Sequence, residues 1–271
     1  MNTHQIMHLA LEMSGLKEVP ADSGIVVPAE DVKKVLFGID IDTADLLLAK
    51  QLGADLVLGH HPITDAPATN LHLVMKRQIE LMTRVGVPIN KAQKVLQERV
   101  QLNDRGAHSK NWGKVGQAAR LLNMPLMNIH IPIDIITETA VQAHLDKQLV
   151  HTSTVSDVID ALKQMPEFRG EPAGPVIRCG AKDDYAGKVF VSMAGGTNGG
   201  PGVMKAYFEA GIGTLVMMHI PEDSLKAVKE QAIGNVIIAG HMRSDSVGIN
   251  IFIKALEAEG IEVVRMGGIV G

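Results

Sequence analysis

The chain has 271 residues, of which 46% are hydrophobic and 21% are charged, and its net charge is −4. This composition is typical of a globular protein with one large α/β domain or two smaller ones, and it excludes an intrinsically disordered chain. Cys179 is the only cysteine, so a cysteine-based zinc site and a disulfide within one chain are excluded, and a cytoplasmic location is expected. The sequence has no basic run and no long apolar stretch, so we expect neither direct binding to nucleic acid nor a membrane span.

The spacing of apolar residues predicts alternating helices and strands in the first half of the chain. In chain order, the predicted elements are a helix at 3–13, a strand at 34–40, a helix at 43–53, a strand at 54–59, and helices at 91–100 and 113–122. The strand at 54–59 ends at His60-His61-Pro62. From 126 to 186 the pattern is less regular, and only helices at 137–149 and 156–165 are predicted.

The same order of elements returns in the second half of the chain. The predicted elements there are a strand at 187–193, a helix at 201–210, strands at 214–218 and 235–239, a helix at 246–259, and a strand at 261–266. Lys34-Val35-Leu36-Phe37 matches Lys188-Val189-Phe190-Val191, and the segment 56–62 matches 215–221. This repeat predicts two similar α/β halves, pseudo-symmetric, with mixed sheets flanked by helices and a metal site in the cleft between them. The predicted divisions are 1–125 for the first half, 126–186 for an irregular link, and 187–271 for the second half.

His60 and His61 follow a predicted buried strand. Ligand sites of open α/β sheets lie beyond the carboxyl ends of their strands. Adjacent side chains point in different directions, so the two imidazoles would each serve one ion of a metal pair. The alternative interpretation is a pair of surface histidines with no ligand.

A second candidate group follows the strand at 235–239. His241 and Asp245 have i, i+4 spacing, so both side chains reach one ion if this turn is helical. In the alternative interpretation, Ser244 or Asp245 only caps the next helix. His219 also follows a predicted strand, which favours the metal site, and nitrogen and oxygen ligands suit Zn, Mn, Fe or Co.

Three further features are candidates. Asp104 lies in a polar break predicted between two helices, where it would supply a carboxylate ligand or form a simple turn. Asp40, at the end of the first predicted strand, would orient a histidine ligand. A glycine-rich loop joins a strand to a helix, which favours either anion binding by backbone N–H groups or a tight structural turn. The residues of this loop are Gly195, Gly196, Thr197, Asn198 and Gly199.

The segments from Gly38 to Ile63 and from Gly240 to Asp245 resemble the GTP cyclohydrolase 1 type 2 homologues, also called the NIF-three-like family. Members carry a strand, a helix, a second strand and a His-His-Pro turn in the first half, and a Gly-His-x-x-x-Glu turn near the end. The segment 22–25 is similar to an early Asp-Asn-x-Gly-Leu segment of the family, and Asp104 with Asn111 is similar to its Asp and Asn before a Leu-rich helix. The resemblance covers most of the chain outside about 126–176.

The resemblance implies two divalent metal ions per chain and a ring-shaped homohexamer. The implied metal ligands are His60, His61, Asp104, His241 and Asp245. The chain departs from the family at three positions: Asp245 replaces the usual Glu, Val100 stands where a His often precedes the Asp, and His219 occupies a Thr-Gly-Glu-like stretch. His219 is therefore an alternative ligand.

The leading functional hypothesis is a metal-dependent hydrolase, similar to a GTP cyclohydrolase, in which a two-metal centre activates water on a nucleotide or another phosphorylated small molecule. The alternative is a metal-binding regulatory or scaffold protein without catalysis. A third hypothesis is a metal-free enzyme that uses the glycine loop. Turnover that depends on bound metal would separate the first hypothesis from the other two.

Overall fold

The computed structural model describes residues 1–170 and 173–271, in which the chain forms twelve α-helices, one short 3-10 helix at Pro166–Phe168, and nine strands. The helices are α1 (Thr3–Ser14), α2 (Thr43–Gln51), α3 (Asp65–Thr69), α4 (Leu71–Val74), α5 (Arg77–Arg84), α6 (Ile89–Ala107), α7 (Lys114–Leu121), α8 (Ile131–Gln148), α9 (Val155–Leu162), α10 (Pro201–Glu209), α11 (Glu222–Gln231) and α12 (His241–Ala258). The strands are β1 (Gly24–Val27), β2 (Lys34–Gly38), β3 (Leu56–Gly59), β4 (Leu126–Asn128), β5 (Val176–Cys179), β6 (Val189–Val191), β7 (Thr214–Met217), β8 (Asn235–Ile238) and β9 (Glu262–Met266).

These elements group into two compact units. Unit 1 comprises Met1–Val74, Asn103–Ile136 and Gly248–Val270. Unit 2 comprises Met75–Leu102, Thr137–Val247 and Gly271. Each unit draws on segments that are distant in the sequence, so the units differ from the contiguous divisions 1–125, 126–186 and 187–271 that the sequence predicts.

Unit 1 is built on a five-stranded mixed sheet of order β1-β4-β3-β2-β9. β2 runs parallel to β3 and β9, β3 runs parallel to β4, and β1 runs antiparallel to β4. The apolar run of β2 is buried because helices cover the sheet, as is usual for parallel strands. One buried core cluster of this unit contains Leu36, Ile41, Leu46, Ala49, Val57, Ala119, Met124 and Leu126.

Unit 2 has a four-stranded mixed sheet of order β5-β8-β7-β6. β6, β7 and β8 are parallel, and β5 is antiparallel to β8. The sequence β1-β4-β3-β2 in the first sheet therefore has the same strand order and directions as β5-β8-β7-β6 in the second. This equivalence confirms the prediction of two similar α/β halves with mixed sheets. The predicted position of a metal site between the halves stays a prediction.

Local sequence explains where several helices begin and end. Asn2 and Gln5 form a reciprocal capping box at the start of α1, and Gly15 ends that helix in the left-handed conformation with φ 71°. Asp42 and Asp45 form a second capping box at the start of α2. In residues 1–170 and 173–271, no helix combines the length and the apolar character needed to cross a bilayer.

The structure corrects three expectations about local elements. α6 continues to Ala107, so Asp104 lies within a helix and not in a polar break. α12 begins at His241, several residues before the predicted start, so Ser244 and Asp245 are helical and not caps. The segment 126–186, in which only helices at 137–149 and 156–165 are predicted, also contains β4 and β5, and α8 already begins at Ile131. α8 accommodates Pro132 in its first turn, where a backbone N–H needs no helical partner.

Candidate metal centre

The carboxyl ends of three neighbouring strands in unit 1 carry the candidate residues. β3 and β4 run in parallel register with Gly59 opposite Asn128, so the residues that follow the two strands leave the sheet at one edge. His60 and His61 follow β3, and His130 follows β4. The backbone N–H of His60 donates to Gly38 O at 2.9 Å, which fixes the start of this turn against β2.

His60, His61 and His130 form one compact group. A ring nitrogen of each histidine lies within 4.8 Å of a ring nitrogen of the other two. The ring centroids of His60 lie 5.0 Å from those of both His61 and His130, and the His61 and His130 centroids are 5.6 Å apart. His60 is fully buried, and the side chain of His61 is 21% exposed.

Oxygen acceptors hold the Nδ1 atoms of both histidines that follow β3. His60 Nδ1 lies 3.0 Å from Ile129 O, and His61 Nδ1 lies 2.8 Å from Asp40 Oδ1. Because a carbonyl or carboxylate oxygen only accepts, each Nδ1 carries the hydrogen and donates it. A neutral imidazole in this tautomer has its lone pair on Nε2, which is the atom that binds a metal. Asp40 thus lies where the sequence places a residue that orients a histidine ligand.

The Nδ1 atom of His130 is held in the same way by a buried carboxylate. It lies 2.6 Å from Asp22 Oδ2, and Asp22 is completely buried. Ser23 Oγ donates to Asp22 Oδ1 at 3.3 Å and accepts from the backbone N–H of His130 at 2.9 Å. Burial lowers the pKa of His130, but the carboxylates of Asp134 and Asp22 outweigh it, so the net direction is upward.

Asp134, one turn into α8, faces the same group and is buried. Its Oδ1 lies 3.4 Å from His60 Nε2, and its Oδ2 lies 3.6 Å from His130 Nε2. Two nitrogen or oxygen ligands of one tetrahedral ion lie roughly 3.3 Å apart, because each bond is about 2.0–2.1 Å long. The buried Asp134 Oδ1 accepts no hydrogen bond from the described residues. His60, His61, His130 and Asp134, the unit-1 cluster, are therefore close enough to one another to be candidate metal ligands.

Unit 2 carries a second His and Asp pair, at the start of α12. His241 Nε2 lies 3.6 Å from Asp245 Oδ2, and Asp245 is buried. Gly240 precedes the helix with φ 98°, and a Cβ there would lie 2.3 Å from Ala173 O, so the turn requires glycine. The His219 ring lies 5.0 Å from the His241 ring, and desolvation lowers the pKa of His219 while the Asp245 charge opposes the shift.

Asp104 lies apart from these groups. It is half-exposed, and its Oδ1 is 3.8 Å from His72 Nε2 and 4.0 Å from His108 Nε2. Within the described ranges, no group of three closely spaced potential ligands contains Asp104.

Sequence reasoning missed His130 and Asp134. The signal that would have found them is their i, i+4 spacing after β4, because His241 and Asp245 have the same spacing after β8. β4 and β8 occupy equivalent positions in the two sheets. Aligning the repeat through these strands would have paired the two His-x-x-x-Asp motifs.

The glycine loop of unit 2 is held by a buried glutamine. Gln78 Nε2 donates to Gly195 O at 2.8 Å and to Thr197 O at 2.7 Å. The backbone N–H of Gly199 donates to Thr197 Oγ1 at 3.2 Å. A Cβ at Gly199 would lie 2.0 Å from the Gln78 amide oxygen, so close packing accounts for this glycine. Anion binding by the loop stays a prediction.

Comparisons with solved structures extend over the whole chain. A crystal structure of a NIF3 superfamily protein from Sphaerobacter thermophilus is 40% identical over 99% of this chain and 98% of that chain, with a TM-score of 0.92. Reduced HcgD from Methanocaldococcus jannaschii is 13% identical over 98% of this chain and 97% of that one, with a TM-score of 0.62. A Bacillus cereus protein related to NIF3 is 11% identical over 98% of this chain and 96% of that one, with a TM-score of 0.56. Comparisons with protein-family models and with curated proteins find no significant match.

The two equivalent sheets and the His and Asp groups at their strand ends define an α/β protein with candidate metal-binding residues. The chain belongs to the NIF3 superfamily, as its 40% identity to the Sphaerobacter thermophilus protein over nearly the whole length of both chains shows. The two more distant likenesses concern the fold alone. The expected relation to the NIF-three-like family is thus confirmed.

Proposed function

We propose that this chain binds divalent metal ions and acts as a metal-dependent hydrolase. The observation that carries the proposal is the buried Asp134 carboxylate, which approaches His60 Nε2 and His130 Nε2 at 3.4 and 3.6 Å. These two N···O distances are longer than in a typical N–H···O hydrogen bond. They are close to the separation of roughly 3.3 Å between two ligand atoms of one tetrahedral ion. A buried carboxylate oxygen that accepts no hydrogen bond is costly unless a cation neutralises it.

The donor set is made of imidazole and carboxylate groups, which suits Zn, Mn, Fe or Co. A bound divalent ion would lower the pKa of a water molecule and so supply a nucleophile at neutral pH. The chain's own part is to hold the ligands in place: Ile129 O and Asp40 fix the rings of His60 and His61 through their Nδ1 atoms. The partial exposure of His61 favours a catalytic site over a structural one, since catalytic metal sites keep a position open to water.

The proposal includes two ions per chain, with His241 and Asp245 as ligands from unit 2. These two side chains repeat the spacing of His130 and Asp134, and in both pairs the histidine Nε2 lies 3.6 Å from the aspartate Oδ2. We propose a nucleotide or another phosphorylated small molecule as substrate. The homohexamer and the cytoplasmic location stay predictions.

The metal ligands are tested by comparing two isosteric variants. Asp134→Asn and Asp104→Asn each remove one carboxylate charge, and both residues lie in α-helices of unit 1. We expect Asp134→Asn to lower the metal content per chain, measured by elemental analysis, and Asp104→Asn to retain it. Loss of metal in Asp104→Asn alone would instead support the ligand set implied by the sequence resemblance.

The hydrolase activity is tested by turnover. Nucleotides and phosphate esters are offered to the metal-loaded wild type, to His60→Ala, and to wild type treated with a chelator. We expect release of product only from the loaded wild type, with recovery when Zn, Mn or Co is added back. Bound metal without turnover on any of these substrates would favour the regulatory or scaffold alternative.

A further inference from the structure

We propose that His130 is itself a metal ligand in unit 1 and that the buried Asp22 is the residue that positions it. This inference rests on the proposed metal binding and deepens it, since neither residue belongs to the ligand set that the sequence predicts.

The position of the His130 ring supports a ligand role. His130 contributes one ring nitrogen to the group in which the nitrogens of His60, His61 and His130 lie within 4.8 Å of one another. The Nε2 atoms of His60 and His130 approach different oxygens of the same Asp134 carboxylate, at 3.4 and 3.6 Å. A cation placed among these atoms would meet His130 as well as His60.

The hydrogen bonding of the His130 ring also supports a ligand role. Metal-binding histidines generally donate their other ring N–H to a carboxylate or a backbone carbonyl, which fixes the tautomer and the ring orientation. His60 and His61 follow this rule through Ile129 O and Asp40. His130 follows it through Asp22, whose Oδ2 lies only 2.6 Å from Nδ1. All three rings of the group are therefore anchored at Nδ1.

The burial of Asp22 supports a positioning role for its carboxylate. The carboxylate is completely inaccessible to solvent, and it contacts the Ser23 hydroxyl and the His130 ring. Burying a carboxylate costs free energy, so a functional role is expected for it. Here the Asp22 carboxylate fixes the orientation of one imidazole, that of His130. Asn128 Nδ2 donates to the backbone oxygen of Asp22 at 2.7 Å, which ties this residue to β4 and hence to the start of α8.

The internal repeat places a histidine equivalent to His130 in unit 2. In unit 2 the residue at the start of the helix after the equivalent strand is His241, also followed by an aspartate at i+4, and the His and Asp atoms are again 3.6 Å apart. His241 lies one residue further from its strand than His130 does. The same pair of ligand types thus recurs at equivalent ends of the two sheets. The proposed ligand role of His241 therefore extends to His130 by the equivalence of the two sheets.

The competing interpretation makes His130 a buried cation that only balances Asp22 and Asp134. Such a residue would stabilise the fold without touching a metal. The two roles differ in an observable: a ligand changes the metal's own spectrum when it is replaced, whereas a counter-charge does not.

The experiment is a Co²⁺ titration of the metal-free full chain, followed by visible absorption, with wild type, His60→Ala, His130→Gln and Asp22→Asn. We expect about 100-fold or greater loss of affinity and an altered absorption band for His130→Gln, because a ligand is removed. We expect about 10- to 100-fold weaker Co²⁺ binding for Asp22→Asn, with the visible absorption band largely kept. His130 remains as a ligand in this variant, but its ring is no longer held in the binding orientation. Far-UV circular dichroism verifies that each variant is folded.

Two matched variants control for general damage. His144→Gln replaces another histidine of α8, whose Nε2 contacts Ala161 O at 2.9 Å. Asp55→Asn replaces another aspartate of unit 1, which accepts the backbone N–H groups of Lys33 and Lys34. Both controls should bind Co²⁺ as the wild type does.

His130→Gln with wild-type affinity and an unchanged band would overturn the inference, while metal loss in His60→Ala would leave the proposed function intact. A wild type that binds no Co²⁺ would overturn both proposals. If His130→Gln does not fold, the ¹⁵N spectrum of histidine-labelled wild type decides. The His130 ring is identified as the one whose Nδ1–H signal is lost in Asp22→Asn. Addition of Zn²⁺ to the wild type should shift the Nε2 resonance of this ring, and an unshifted resonance would contradict ligation.

Discussion

Glu138 offers a quantitative test of how unit 2 is held together. This buried residue of α8 accepts hydrogen bonds from the backbone N–H groups of Met193 and Ala194 at 3.0 and 2.9 Å, and its other oxygen lies 3.3 Å from Arg77 Nη2. Glu138→Ala would leave these three donors without their acceptor. Removing one partner of a buried pair costs about 3–5 kcal/mol. Each buried N–H left without an acceptor costs about 1–3 kcal/mol, so we expect a loss near 3–5 kcal/mol in the free energy of unfolding.

The matched control is Glu80→Ala. Glu80 also faces Arg77, at 4.0 Å from Nη1, but its side chain is 75% exposed, so its removal should cost less than about 1 kcal/mol. Urea unfolding followed by far-UV circular dichroism measures both variants under the same conditions. Similar losses for Glu138→Ala and Glu80→Ala would refute the reasoning, because burial would then not distinguish the two carboxylates.

Three further predictions concern single residues. Burial raises the pKa of Glu138 above its ordinary value of 4.5, so the folded state binds the proton more tightly. The free energy of unfolding of wild type relative to Glu138→Gln, measured by urea titration, should therefore fall as the pH rises from about 4.5 through the folded pKa. A rise in this difference over the same pH range would contradict the prediction. Gly240→Ala should lower the free energy of unfolding by roughly 1–3 kcal/mol and reduce metal content, because φ is 98° and a Cβ would collide with Ala173 O. Unchanged stability and metal content would show that the turn tolerates a side chain. Burial raises the pKa of the Cys179 thiol above 9.0, so its alkylation rate at pH 8 should be lower than that of a free cysteine peptide, and an equal rate would contradict this.

The elements predicted best from the sequence are those with a strong local signal. β2, α2 and β3 lie close to their predicted positions because an apolar run, a capping box and a second apolar run follow one another. The repeat was visible for the same reason, and it indicated the correct class of fold. The histidines at the ends of β3 and β7 were identified because a buried strand precedes each of them.

The elements that escaped prediction have weak local signals. β4 has only three residues, and it is followed directly by a helix whose first turn contains Pro132. A proline there resembles a break, so the segment carrying His130 and Asp134 was assigned to an irregular link. Asp104 was placed in a polar break between two helices, whereas helical hydrogen bonding continues through it. Asp22 is far from His130 in sequence, and only the pairing of β1 with β4 brings the two together.

The most direct test of metal binding is the metal content per chain, determined by elemental analysis on protein purified without added metal or chelator. The comparison is between wild type and the double variant His60→Ala/His241→Ala, which removes one candidate ligand from each unit. The proposed function predicts about two ions per chain in the wild type and their loss in the variant. Substoichiometric metal that is equal in both proteins, and that added Zn, Mn or Co does not restore, would contradict it.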